Sequence, residues 1–254
     1  MALTGIQIFK LLPKTNCGKC GIPTCLAFAM NLAAGKAELT ACPTVSEEAK
    51  SMLAEASAPP IRPVTIGTGE KACKVGGETV MFRHEKRFEN PTGIVILISD
   101  NMSEAEINNR VDKFNKYTYE RVGLKLRANA IALKSDSGDA AKFAAFVTKV
   151  AAATDGAIIL MSDKADVLTA GVQPIATRKP LLYAATKANA EAVAALAKAH
   201  NCPIAIKGAN LEELAELTTL VENAGVKDIV IDSGARTVKQ LLQDQVHIRA
   251  SALV

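Results

Sequence analysis

Four cysteines near the start of the chain are the residues whose spacing could do chemistry. They lie in TNCGKCGIPTCLAFAMNLAAGKAELTACP (residues 15–43), as Cys17, Cys20, Cys25 and Cys42, in the pattern C-x2-C-x4-C-x16-C with Pro43 directly after the last. In a reducing compartment clustered thiols more often mean metal or redox chemistry than disulfides. Zinc is one reading, but its structural sites usually bring together two separated Cys-x2-4-Cys knuckles, and only one is present here. Three ligands close in sequence and a distant fourth followed by Pro suit a [4Fe-4S] cubane better, with a disulfide pair third. The other two of the six cysteines, Cys73 and Cys202, stand alone and read as small core or loop hydrophobes.

The local sequence suits such a site. Gly18 and Gly21 allow backbone conformations closed to other residues, and Pro23 delays helix formation, so the loop can wrap a compact object. LAFAMNLAA then forms a helix that Gly35 ends, and the chain returns so that Cys42 closes the site. Lys14 and Lys19 lie close in sequence to the thiolates and are expected to raise a cluster's potential.

Composition bounds the rest. The chain has 254 residues, 49% hydrophobic and 22% charged, with a net charge of +4 spread along it. That is ordinary for a folded domain with a sizeable core and gives nucleic-acid binding little support. MALTGIQIFKLLPK lacks a basic stretch leading into a long apolar run, and nowhere do 18 apolar residues run together, so no membrane segment and a cytoplasmic location are expected. The proline-rich ASAPPIRP (56–63) predicts a tether and a domain boundary near residue 58, dividing the chain into 1–58 and 59–254.

Past the boundary, PVTIG and ETVMF read as a hairpin around a Gly-rich turn. A βα rhythm follows, with strands GIVILIS (93–99), NAIAL (129–133), GAIILM (156–161), PLLYA (180–184), PIAI (203–206) and DIVIDS (228–233). Ser103 with Glu106 and Asn210 with Glu213 fit helix-capping spacings, and Gly225 fits a helix end. Strands apolar almost throughout are parallel and covered on both faces. Either a (β/α)8 barrel or an open doubly wound sheet fits, although no G-x-G-x-x-G follows the first strand. Ser99, Asp100, Lys134 to Asp136, Ser162, Asp163, Thr186 to Asn189, Lys207, Asn210, Asp232 and Arg236 gather where strands run out into helices. Ser, Asp and Asn there are helix caps by default, and no catalytic residue is assigned. The three histidines, at 84, 200 and 247, offer no metal spacing. RHEKR (83–87) reads as a solvated face.

The stretch from Leu3 to Ser46 resembles the N-terminal iron-sulfur domain of the large (gamma) subunits of corrinoid/iron-sulfur proteins of the anaerobic acetyl-CoA (Wood-Ljungdahl) pathway. MFRHEKRF (81–88), TRKPLLYAATKAN (177–189) and GANLEELAEL (208–217) are similar to the same family, so the resemblance covers the whole chain. It implies an α/β protein in which a small [4Fe-4S] domain, ligated by Cys17, Cys20, Cys25 and Cys42, precedes a TIM-type (β/α)8 barrel. The implied function is methyl carriage. A corrinoid takes methyl from methyltetrahydrofolate and passes it to acetyl-CoA synthase, and the cluster restores Co(II) to Co(I). Implied partners are the small subunit, the methyltetrahydrofolate methyltransferase, acetyl-CoA synthase/CO dehydrogenase and a low-potential donor such as ferredoxin. The protein would be a component of a methyltransferase system rather than a self-contained enzyme. A pterin-dependent methyltransferase barrel with an iron-sulfur domain, or an electron-transfer module, are the alternatives. Methyl transfer from a pterin requires no cluster, whereas holding cobalt at Co(I) requires an electron donor; a bare electron-transfer module leaves the barrel unexplained.

Only six strands can be read between 93 and 254, whereas such a barrel closes with eight in about 250 residues. The expectation is a barrel incomplete in this chain, continued by two further βα units and a corrinoid-binding region, with the corrinoid held mainly by that region and at the partner interface.

Overall fold

A computed structural model describes residues 4–33, 37, 39–46, 49–50, 53, 60–82 and 84–253. The chain divides into two compact units, residues 1–60 and 61–253.

In the first unit, helix α1 (Gly5–Leu11) starts at a capping box in which the Thr4 hydroxyl accepts from the Gln7 N–H and the Gln7 side chain accepts from the Thr4 N–H. It stops because Pro13 excludes helical geometry for Leu12, which is extended. Helix α2 (Cys25–Ala33) crosses it so closely that a Cβ on Gly5 would lie 2.3 Å from Met30 Sδ. Ile8, Leu12, Phe28, Ala29, Val45, Ala49 and Leu53 form the core with Cys25 and Cys42. Gly35, expected to end α2, and residues 56–59 of the proline-rich stretch lie outside the described residues.

The second unit opens with an antiparallel hairpin, β1 (Val64–Ile66) against β2 (Cys73–Val75). The expected partner, ETVMF, is loop; Gly76 and Gly77, both at positive φ, end β2 before it. Six parallel strands then pair in one sheet: β3 (Val95–Ser99), β6 (Ala130–Lys134), β7 (Ala157–Met161), β8 (Leu181–Ala185), β9 (Ile204–Lys207) and β10 (Ile229–Asp232). Their spatial order is their order in the chain, and β3 and β10 are the two edges. A further hairpin, β4 (Tyr119–Arg121) with β5 (Leu124–Leu126), lies between β3 and β6 in sequence.

Helices α3 (Glu104–Lys116), α4 (Ala140–Ala153), α5 (Ala165–Val172), α6 (Ala190–His200) and α7 (Leu211–Asn223) join the strands, and α8 (Val238–Leu253) follows β10. The caps match the sequence reading. Ser103 and Glu106 form a complete capping box, Asn210 accepts from the Glu213 N–H, and Gly225 has positive φ just past α7. Side chains alternate along the strands, with one register shift in β8 at Tyr183–Ala185. Ile98, Ile131, Leu133, Ile158, Leu160, Leu182, Ile204 and Ile206 pack with the apolar stripes of α3 to α7. The intervening Ala130, Ala132, Ala157, Ile159, Leu181 and Ala205 form the other face, packed with Val64, Ile66 and Cys73 of the first hairpin. The four central strands are therefore buried on both faces, as parallel strands are, whereas Val95 and Leu97 of the edge strand β3 are exposed on the second face and β10 is only partly buried.

Candidate iron-sulfur site

The loop before α2 is shaped by four residues at positive φ: Lys14, Asn16, Gly18 and Gly21. Gly18 and Gly21 close a tight turn, with the Gly21 N–H donating to the Gly18 carbonyl at 2.9 Å, and nothing lies within 4 Å of where a Cβ would stand on either. The backbone there is open to an object larger than a side chain. Asn16 then ties the two ends of the loop together. Its Oδ1 accepts from the Cys25 N–H at 2.8 Å, and its own N–H points at Cys25 Sγ at 3.4 Å. Thr24 accepts from the Ala27 N–H at 3.1 Å and so caps α2. Cys25 thus stands in the first turn of a helix.

The fourth thiol arrives from a 3-10 turn, Leu39–Ala41, whose Leu39 carbonyl accepts from the Cys42 N–H at 3.1 Å. Cys25 and Cys42 are buried, Cys20 packs at the edge of the same core, and Cys17 is exposed. The Thr44 hydroxyl lies 3.5 Å from Cys42 Sγ. The Cys17 pKa is lowered, chiefly by the Lys19 N–H and then by the hydroxyls of Thr15 and Thr44.

Among the described residues no three His, Cys, Asp or Glu are gathered as a single metal ion requires. The motif itself supplies four thiols, Cys25 and Cys42 buried and Cys17 exposed, with an open Gly-lined turn between the first three. That fits a multi-iron cluster, whose thiolates bind separate irons. Sequence reasoning found the four cysteines and missed Asn16, Thr15 and Thr44. An Asn directly before the first ligand was the available signal, since Asn is among the few residues that tolerate positive φ. Lys14 stands over the Phe9 ring, its Nζ 5.8 Å from the centroid. Cys73 and Cys202 are buried core residues, and burial raises both thiols, Cys202 to about 11.

The polar residues at the strand ends bond mainly to one another. Asp100 accepts from the N–H groups of Asp136 and Ser137 and from the hydroxyls of Ser135 and Ser137, so it holds the loop after β6. Asp232 accepts from the Tyr183 hydroxyl at 2.6 Å and from both Arg236 nitrogens, at 3.1 and 3.0 Å. Asn189 anchors the loop after β8 to Thr186 and Asp163. These contacts fix loops rather than cap helices: Asn210 caps α7 as expected, whereas Asn189 at the start of α6 makes no side-chain cap hydrogen bond and Asp100 and Asp232 stand at no helix cap.

Two family comparisons cover most of this architecture. Residues 12–44 match a family described as "Putative Fe-S cluster". Residues 63–254 match the family described as CO dehydrogenase/acetyl-CoA synthase delta subunit. The chain belongs to that second family. Relatives include the "Corrinoid/iron-sulfur protein large subunit" of Moorella thermoacetica, 50% identical over 253 residues, covering 100% of this chain and 57% of the relative. The "Acetyl-CoA decarbonylase/synthase complex subunit gamma 2" of Methanosarcina mazei is 41% identical, over 94% of this chain and 52% of its own length. The gamma subunit of Methanothermobacter thermautotrophicus is 34% identical, over 93% and 52%. The chain thus spans little more than half the length of these curated relatives. The likeness to large subunits of corrinoid/iron-sulfur proteins is shown over the full chain. Among the described residues no helix is long and apolar enough to cross a membrane.

Proposed function

We propose that this chain is the iron-sulfur and barrel part of a methyl-group carrier, with one [4Fe-4S] cluster on Cys17, Cys20, Cys25 and Cys42. The observation that carries the reading is the Gly-rich loop that Asn16 closes onto α2, with four motif thiols, inside a segment matching an iron-sulfur family. Bound there, the cluster would supply one low-potential electron, which returns an oxidised corrinoid from Co(II) to Co(I). The chain's own residues hold the four thiolates, leave Cys17 at the surface for electron entry or exit, and bury Cys25 and Cys42. The corrinoid itself is assigned to a region beyond these residues and to the partner interface. The partners are those of the resembled family: the small subunit, the methyltetrahydrofolate methyltransferase, acetyl-CoA synthase/CO dehydrogenase and a ferredoxin-type donor, in the cytoplasm.

For residues 59–254 we propose a TIM-type barrel, with residues 1–58 as the cluster domain. Strand order supports it. A doubly wound sheet reverses order once, so that its right-handed crossovers place helices on both faces. Here the order never reverses, and α3 to α7 share one core on one face. The small residues of the opposite face, Ala130, Ala132, Ala157 and Ala205, suit a barrel interior.

The test begins with anaerobic purification. Iron and sulfide near four per chain, with broad visible absorbance, are expected; zinc without iron overturns the cluster. In the complete carrier, Cys20→Ala should abolish reactivation of Co(II) and leave methyl transfer from reduced Co(I) nearly intact. Loss of both activities in a folded variant would refute the division of labour, and would favour a pterin-dependent methyltransferase with a structural cluster.

A further inference from the structure

The last cysteine of the motif has a hydroxyl beside it: Thr44 Oγ1 lies 3.5 Å from Cys42 Sγ. Cys25 Sγ faces the Asn16 N–H at 3.4 Å. Cys20 differs, because its sulfur lies 3.7 Å from the Ile22 carbonyl, an acceptor that can give nothing to a thiolate. The donor at Cys42 is thus a side chain, whereas that at Cys25 is backbone. Thr44 also follows Pro43, whose ring fixes the local backbone, and its β-branch limits the hydroxyl to few rotamers.

A hydrogen bond to a ligand sulfur withdraws negative charge from it, and the reduced cluster carries one more negative charge than the oxidised one. Donors therefore stabilise the reduced form and raise the potential. A free thiol can itself donate to Thr44, but a metal-bound thiolate has no proton, so the hydroxyl must then be the donor.

We propose that Thr44 sets the reduction potential of the cluster by hydrogen-bonding to the Cys42 thiolate. This rests on the cluster reading above. The electron enters from a low-potential one-electron donor and no bond is made or broken. Thr44 is accordingly a positioning residue that touches a ligand rather than the irons.

The experiment uses the full chain loaded anaerobically with iron and sulfide, and it counts iron and sulfide before any potential is measured. Thr44→Val keeps the shape and removes the donor; Thr44→Ser keeps the donor. Midpoint potentials come from redox titration followed by electron paramagnetic resonance. The expected result is equal iron in all forms, a shift to lower potential in Thr44→Val, and near-recovery in Thr44→Ser. An unchanged or higher potential in an iron-replete Thr44→Val chain overturns the proposal. So does a Thr44→Val chain that takes up no iron while Thr44→Ser does, because the hydroxyl then serves assembly rather than tuning. Absence of iron from the unaltered chain overturns the cluster reading beneath it, a different outcome read by a different measurement.

Discussion

A thiol's reactivity follows its surroundings, and the cysteines here span a wide range. Cys17 is exposed and its pKa is lowered by the Lys19 N–H and neighbouring hydroxyls, whereas burial raises Cys73 and takes Cys202 to about 11. At pH 8 the metal-free chain should therefore be alkylated by iodoacetamide first at Cys17, with Cys202 reacting only on unfolding. Peptide mass spectrometry over time checks the order. Assembly of the cluster should then protect Cys17 without changing Cys202. The four thiols were legible in the sequence because ligand spacing is written directly in residue numbers. Asn16 and Thr44 were not, because their roles arise only when the backbone turns at positive φ and when the chain after Pro43 brings the Thr44 hydroxyl beside Cys42 Sγ.

Among the elements, the six parallel strands were legible because each is a short apolar run bounded by polar and Gly residues. The second hairpin was not. Its two-residue loop, Val122–Gly123, has positive φ at both positions, as a type I′ turn requires, but Val is a poor residue there and lacks the usual Asn-Gly or Asp-Gly signal. The network at the strand ends carries a testable linkage between β8 and β10. Burial by itself would raise Asp232, but bonds from Arg236, Tyr183 and the Gly234 N–H outweigh it and bring the carboxyl down to about 2. An unfolded Asp titrates near about 3.9. The native state thus gains stability from the carboxylate above that value and loses it as pH falls from about 4 to about 2. Asp232→Asn should lower the melting temperature at pH 7, and the gap from the unaltered chain should close at pH 2. A gap that persists unchanged down to pH 2 would show that the charge plays no part.

At the scale of the molecule, the sheet presents two free edges, and both carry apolar surface. On β3 the side chains that alternate away from the helices, Val95 and Leu97, are 41% and 43% exposed, and Ile94 just before them is 60% exposed. At the other edge every residue of β10 is only partly buried, and the following helix α8 buries none of its residues, leaving Val238 and Leu242 84% and 64% exposed. An edge strand offers unpaired N–H and C=O groups to any neighbour, and an apolar face beside it adds a hydrophobic driving force. Helix α8 belongs to the same pattern, since its Leu241, Leu242 and Val246 would otherwise be expected against a core. The 254-residue chain expressed alone should therefore self-associate with rising concentration and bind an environment-sensitive hydrophobic dye in the native state. Light scattering and dye fluorescence report these two properties separately. Leu97→Lys combined with Leu242→Lys should reduce both, because a charge at each edge opposes stacking while leaving the buried faces of the sheet untouched. A monodisperse, cooperatively unfolding chain that binds no dye would show that these surfaces are stable in water as they stand. The barrel proposed for residues 59–254 would then give way to an open sheet of six strands.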